Sequence, residues 1–201
     1  MKVAITNDDG VLEPGLVALV VAFADAGHQV LVVAPTSERS GSGAAVGPLW
    51  KTPPIALVPT NIPGAPGVEA YGIDAPPAVA AYAACLGAFG SVPDLLVSGV
   101  NPGPNVGHLV IHSGTVGAAM SAAILGIPAI AVSTWTHDGD EFQRAAEMAR
   151  DHMQVALAHR GQVLNLNLPR HAELKGIRTA PLGLYGSRFE TTAVRVADHL
   201  E

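Results

Sequence analysis

The chain reads as an α/β protein, and two features of its pattern lead there. Short apolar runs with no wet face, the mark of buried parallel strands, alternate with longer Ala-rich segments of helical character. Between Asp74 and Asp138 the only Asp, Glu, Lys or Arg is Asp94, so that stretch must lie mostly inside. It cannot be a membrane span, because Pro102, Pro104, Pro128, Asn101 and Asn105 leave no run of about 20 apolar residues. The elements alternate strand and helix, which requires crossovers that put helices on both faces of a mostly parallel sheet, a three-layer, Rossmann-like arrangement.

Lys2 to Thr6 is the first buried strand, ending in the polar loop Asn7-Asp8-Asp9-Gly10. Pro14-Gly15 opens a helix that runs to Ala26 and stops at Gly27. Gln29 to Ala34 is the second strand, closed by Pro35. From Gly41 to Gly72 the chain is rich in Gly and Pro, with short pieces such as Ile55 to Val58 that suit small edge strands. A helix is expected over Ala75 to Phe89, a third strand over Asp94 to Ser98, and a helix from Ser113 to Leu125. Ala129 to Ser133 is the fourth strand. An amphipathic helix runs from Asp138 to about His159, with Phe142, Ala146, Met153 and Leu157 among its apolar positions. Val163 to Leu168 is the fifth strand.

The chain has 201 residues with 11 Lys+Arg and 17 Asp+Glu, a net charge of −6. An acidic protein without a basic cluster lacks the footprint that nucleic-acid polymers or anionic membranes require. Its single cysteine, Cys85, cannot form an internal disulfide, and no signal peptide is recognisable at the start. A cytoplasmic location is expected. At 49% apolar residues, one well-cored domain spanning 1–201 is expected.

Ligands of such sheets bind beyond the carboxyl ends of the strands, at the switch point of the topology. Three polar loops reach that edge: Asn7 to Gly10, Arg39-Ser40-Gly41, and Ser98 to Asn105. Asp8 and Asp9 are adjacent carboxylates in a region poor in cations, and each raises the other's pKa unless a cation neutralises them. Carboxylate, hydroxyl and amide oxygens suit a hard ion such as Mg²⁺ or Mn²⁺. The competing reading is an Asx-type turn with both carboxylates in water. Ser113-Gly114-Thr115 at a helix start is an anion site in outline, or a simple N-cap. An acidic metal centre beside a helix-terminus anion site is what binding a phosphate monoester requires. His108 and His112 lack the Glu of a zinc-protease motif and are read as loop or supporting residues, and Cys85 as a core residue. Trp50, Trp135 and Tyr71 are candidates for base stacking or for packing.

Four motifs in this order resemble the SurE family, the stationary-phase survival proteins, which are metal-dependent nucleotidases. They are Asn7-Asp8-Asp9-Gly10-Val11 with Pro14-Gly15; Val33-Ala34-Pro35 followed by Arg39-Ser40-Gly41; Val97 to Asn101 with Gly103 and Asn105; and Ser113 to Val116 with Ala118-Ala119-Met120. Asn165 to Pro169 matches the family's later Asn-x-Asn-x-Pro segment. The resemblance implies one divalent ion per subunit, Mg²⁺ or Mn²⁺, on Asp8, Asp9, Ser40 and Asn101. It places Asn7, Asn105, Ser113, Gly114 and Thr115 around the phosphate. It implies hydrolysis of nucleoside 5′- and 3′-monophosphates and assembly as a homodimer or tetramer. Water would attack phosphorus with Asp8 or Asp9 assisting proton removal; an aspartyl-phosphate on Asp8 is the variant. A binder without turnover, or a phosphatase for another monoester, are the alternatives.

Three departures qualify the likeness. Gly72 to Pro77 stands where the family has Gly-Thr-Pro-x-Asp-Cys, which bears on base selectivity. His112 replaces the Tyr before Ser-Gly-Thr, and His108-Leu109 replaces earlier acids. The family's β-rich C-terminal oligomerisation extension is expected to be absent or shortened here.

Overall fold

The computed structural model describes residues 1–49, 53–170, 173, 175–183, 195–196 and 199–200. Seven strands form one sheet: β1 Lys2–Thr6, β2 Gln29–Pro35, β3 Leu57–Pro59, β4 Glu69–Ile73, β5 Leu95–Asn101, β6 Ala129–Thr134 and β7 Val163–Leu168. Their spatial order is β3-β4-β2-β1-β5-β6-β7, parallel throughout except for β3 on β4. The central strands are buried along nearly their whole length, which is why their sequences run apolar without alternation. A separate antiparallel pair joins β8 Arg195–Val196 to β9 His199–Leu200.

Helices α1 Pro14–Asp25 and α4 Gly139–Asp151 pack together on one face, and α2 Pro77–Cys85 and α3 Gly114–Ile124 on the other. The predicted three-layer architecture is the observed one. Each face has its own core. Phe23, Leu16, Leu19 and Phe142 meet Val3, Ile5 and Val97 on the first, and Ala80, Ala84, Ala118 and Ala122 meet Ala4, Leu31 and Leu96 on the second. The alanines let α2 and α3 approach closely. Cys85 is buried there, and burial pushes its thiol up to about 12, so it is a core residue as expected.

Local chemistry sets the helix ends. Pro14 begins α1, where its missing N–H is no loss, and Gly27 follows the end at φ +78°. Asp138 caps α4 by accepting from Asp140 N–H at 3.0 Å, with Asp140 and Glu141 in the first turn and Arg150 in the last. The single amphipathic helix expected over 138–159 divides at His152, whose backbone leaves the helical region, and α5 occupies Met153–Leu157. β4 went unrecognised because its five residues, Glu-Ala-Tyr-Gly-Ile, carry no continuous apolar run. β3, two of whose three residues fall within the edge strand expected at Ile55 to Val58, is an exposed edge strand that tolerates Pro59.

The chain leaves β1 in one direction to β2, β4 and β3, then returns across the sheet to β5 on β1's other side. The switch point therefore lies between the carboxyl ends of β1 and β5, next to the start of α1. A Cβ on Gly15 would run into the Val100 backbone carbonyl, so only glycine lets α1 begin this close to β5. Gly15→Ala is expected to lower the melting temperature by about 4–10 °C, the cost of forcing one methyl against backbone; an unchanged melting curve would show that the helix start yields freely.

Candidate active site

Asp8 and Asp9 follow β1 directly, and their positions are held by neighbours on both sides. Asn7 is fully buried and closes the loop, donating from Nδ2 to Gly10 O at 2.9 Å and accepting from Gly10 N–H at 3.2 Å. Asn7, expected at the phosphate, is fully buried and each end of its amide makes a bond within this turn. Arg39 N–H donates to Asp8 O at 2.7 Å, which ties the loop after β2 to the loop after β1. Ser40, in that second loop, donates from Oγ to Glu38 Oε1 at 2.8 Å.

The side chain of Asp8 points into the fold and is 4% exposed. Thr115 Oγ1 donates to Asp8 Oδ1 at 2.6 Å, and the backbone N–H groups of Gly114 and Thr115 also support the carboxylate. The predicted anion site at the start of α3 exists, and the anion it holds is Asp8. Gly114 and Thr115, which the resemblance assigns to the phosphate, thus lie against the Asp8 carboxylate in this structure. Ser113 is the N-cap, accepting from Val116 N–H at 3.1 Å. Gly114 is required by contact rather than by backbone angle: a Cβ there would stand 2.7 Å from Asp8 Cβ and Oδ2. Burial nevertheless raises the Asp8 pKa, with the hydrogen bonds from α3 opposing that rise.

Asp9 borders a cleft of about 670 Å³ that is also lined by Glu13, Glu38, Ser40, Asn101 and His137. Its pKa is pushed up to about 7 by burial first, then by the negative charges of Asp8, Glu13 and Glu38. The nearby Arg39 guanidinium ion-pairs instead with Asp74 on the loop after β4. That pair is half in water and worth little energy, yet it attaches the 72–77 segment, which departs from the family pattern, to the loop that carries Ser40.

A cation fits this arrangement. Two adjacent carboxylates, one with a raised pKa and two more acids near it, call for positive charge that no described side chain supplies. No three His, Cys, Asp or Glu side chains among the described residues are grouped to hold an ion. The remaining ligands would therefore be neutral oxygens, and Ser40 and Asn101 border the same cleft as Asp9. A carboxylate, hydroxyl and amide set of this kind suits Mg²⁺ or Mn²⁺ better than zinc. Of the expected ligands, the fold thus brings Asp9, Ser40 and Asn101 to one cleft, with Asp8 preceding Asp9 in the same loop.

Other candidates fall elsewhere. His108 and His112 are exposed on a 3-10 segment, His108–His112, and neither borders the cleft. Tyr71 packs on Phe89 with ring centroids 5.1 Å apart; Trp135 is exposed just past β6. Trp50 lies outside the described residues. Sequence reasoning missed Glu13, Glu38, His137 and Phe142 as cleft residues. Glu38 and His137 carried a usable signal, since each follows a strand end on the carboxyl edge.

A family model described as Survival protein SurE matches residues 3–187. The chain belongs to the SurE family. It is 43% identical over 190 residues to the 5'-nucleotidase SurE of Desulfatibacillum aliphaticivorans, covering 92% of this chain and 72% of the relative. It is 42% identical over 180 residues to the 5'-nucleotidase SurE of Prochlorococcus marinus (strain MIT 9303), covering 88% and 66%. Among solved structures, the SurE protein from Aquifex aeolicus superposes with a TM-score of 0.78 at 30% identity, covering 98% of this chain and 78% of that one.

Two outcomes follow from this SurE-family site. Gly114→Ala is expected to dislodge Asp8 and weaken manganese binding by about tenfold or more, as a displaced supporting contact does; calorimetric titration with unaltered affinity would refute the close fit. For Asp9, the folded pKa near 7 exceeds its ordinary 3.8. The metal-free folded state therefore binds more protons than the unfolded chain between about pH 4 and 7, and stability falls as pH rises through that window. Asp9→Asn should flatten this slope of melting temperature against pH, and manganese at pH 8 should stabilise the wild type more than the variant. Identical slopes would show that Asp9 is not strained.

Proposed function

We propose that the chain is a divalent-metal-dependent phosphomonoesterase that hydrolyses nucleoside 5′-monophosphates, and 3′-monophosphates with them, to nucleoside and phosphate. The observation that carries this is the Asp8–Asp9 pair at the switch point of the sheet, one carboxylate locked onto α3 and the other bordering a cleft shared with Ser40 and Asn101. Its relatives named 5'-nucleotidase SurE support the substrate class.

Asp8, Asp9, Ser40 and Asn101 would hold one Mg²⁺ or Mn²⁺ ion, which when bound neutralises the carboxylates and polarises a phosphoryl oxygen. Asp9 borders the open cleft and accepts the proton of the attacking water at its carboxylate oxygen. As the new bond from water oxygen to phosphorus forms and the ester bond breaks, that proton is available to the departing nucleoside oxygen. Asp8 serves as a fixed charge. Its carboxylate is engaged by the Thr115 hydroxyl and the α3 amides, which favours attack by water over an aspartyl-phosphate. Asn105, Ser113, Gly114 and Thr115, on the loop after Asn101 and at the start of α3, are the residues that would meet the phosphate.

No helix among the described residues is long and apolar enough to cross a membrane. A reducing, cytoplasmic setting suits the lone buried Cys85, and small phosphate esters rather than nucleic-acid polymers suit the acidic chain. Exposed Leu109, Ile111, Met120 and Ile124 on the 3-10 segment and α3 support a homodimer or tetramer.

The test is phosphate release from 5′- and 3′-nucleoside monophosphates and p-nitrophenyl phosphate with Mn²⁺, Mg²⁺ or EDTA. Nucleotide turnover with either metal, silence in EDTA, and silence in Asp8→Asn are expected. Turnover that persists in EDTA, or of the generic ester alone, would overturn the reading.

A further inference from the structure

Asn105 sits half-buried in the loop between β5 and the 3-10 segment, and its backbone N–H, its backbone carbonyl and one hydrogen of its side-chain amide are paired with residues of two other strands. Its backbone N–H donates to Asn167 Oδ1 at 2.8 Å. Its carbonyl accepts from Asn165 Nδ2 at 2.9 Å and from Asn167 Nδ2 at 3.2 Å. Its own Nδ2 donates to Ser133 Oγ at 2.8 Å. Ser133 on β6 and Asn167 on β7 are direct cross-strand partners, as are Ala131 and Asn165. Strand alternation puts Ser133, Asn165 and Asn167 on the same face as Ala129 and Ala131, the face covered by α3.

We infer that Ser133 and Asn167 are positioning residues that hold Asn105 in place for the phosphate. This rests on the reading above that Asn105 meets the phosphate. Three polar side chains, Ser133 buried on β6 and Asn165 and Asn167 half-buried on β7, all converge on one loop residue, and each would cost free energy if left unpaired inside the fold. A loop that needed only to be closed would be satisfied by the two bonds to its backbone carbonyl. The Ser133 contact does something further: it takes one hydrogen of the Asn105 Nδ2 group and fixes the amide plane, so the second hydrogen is aimed in one direction. A donor whose orientation is fixed before substrate arrives loses no rotational freedom on binding.

The experiment is a double-mutant cycle on the full chain with saturating Mn²⁺, reading kcat and KM for a nucleoside monophosphate, inhibition by inorganic phosphate, and Mn²⁺ affinity. Asn105→Ala is expected to lower kcat/KM by about 10–100-fold and to weaken phosphate inhibition. Ser133→Ala, nearly isosteric and so safe for folding, is expected to lower kcat/KM by about fivefold. The double variant should be no worse than Asn105→Ala within about twofold, because Ser133 acts through Asn105. Mn²⁺ affinity should be unchanged throughout, and Asn167→Ala should raise KM and the phosphate inhibition constant together. Multiplying losses in the double variant, or an unaffected Ser133→Ala, would overturn the positioning role. If Asn105→Ala itself behaves as wild type, the contact between Asn105 and phosphate fails and the inference with it, while metal-dependent hydrolysis would still stand.

Discussion

The structure turns on one buried hydrogen bond, from Thr115 to Asp8, between residues 107 apart in sequence. It joins the end of the first strand to the start of a helix on the far side of the switch point. A carboxylate at 4% exposure is costly unless donors surround it. The start of α3 supplies them from a hydroxyl and from amides that have no partner within the helix. The helix in turn receives a fixed negative charge at its positive end. Neither partner is stable in that position without the other, so the site and the fold share this contact.

Close approach is the second requirement, and it is met by leaving atoms out. Gly114 lets α3 reach Asp8, and Gly117 lies under the Gly43 carbonyl where a Cβ would collide. Gly43 N–H in turn donates to His112 O at 3.0 Å. The loop carrying Ser40 is thereby held against the helix that holds Asp8, and through Arg39 N–H against Asp8 itself. These contacts bring the loops after β1 and β2 together before any ligand arrives.

Much of the fold was legible because parallel strands buried on both faces must be apolar throughout, a pattern that β1, β2, β5 and β6 display. β4 was not, since five mixed residues at the sheet's margin resemble any loop. The break at His152 was hidden because the apolar spacing continues across it, and only the backbone conformation of one residue ends the helix. In the site, the oxygen-bearing residues were identifiable by type and place, but their allegiances were not. Asn7 and Asn105 are both loop asparagines after strands. One spends its amide on Gly10 and the other is held out by strands 28 to 62 residues away. Such partners are set by tertiary contact, which local sequence does not encode.

The charge pattern limits how a phosphate dianion can be held. The cleft at Asp9 is lined by Glu13 and Glu38 and by no Lys or Arg among the described residues. Arg39 is turned to Asp74, and the start of α3 already lies against the negative charge of Asp8. A phosphate entering this field would be repelled by three acids with no protein cation in opposition. Affinity then has to come from an ion placed between the carboxylates and the phosphate, with neutral donors setting orientation. The same acids that exclude an unaccompanied phosphate therefore make binding conditional on the metal, and a site built this way is silent without it.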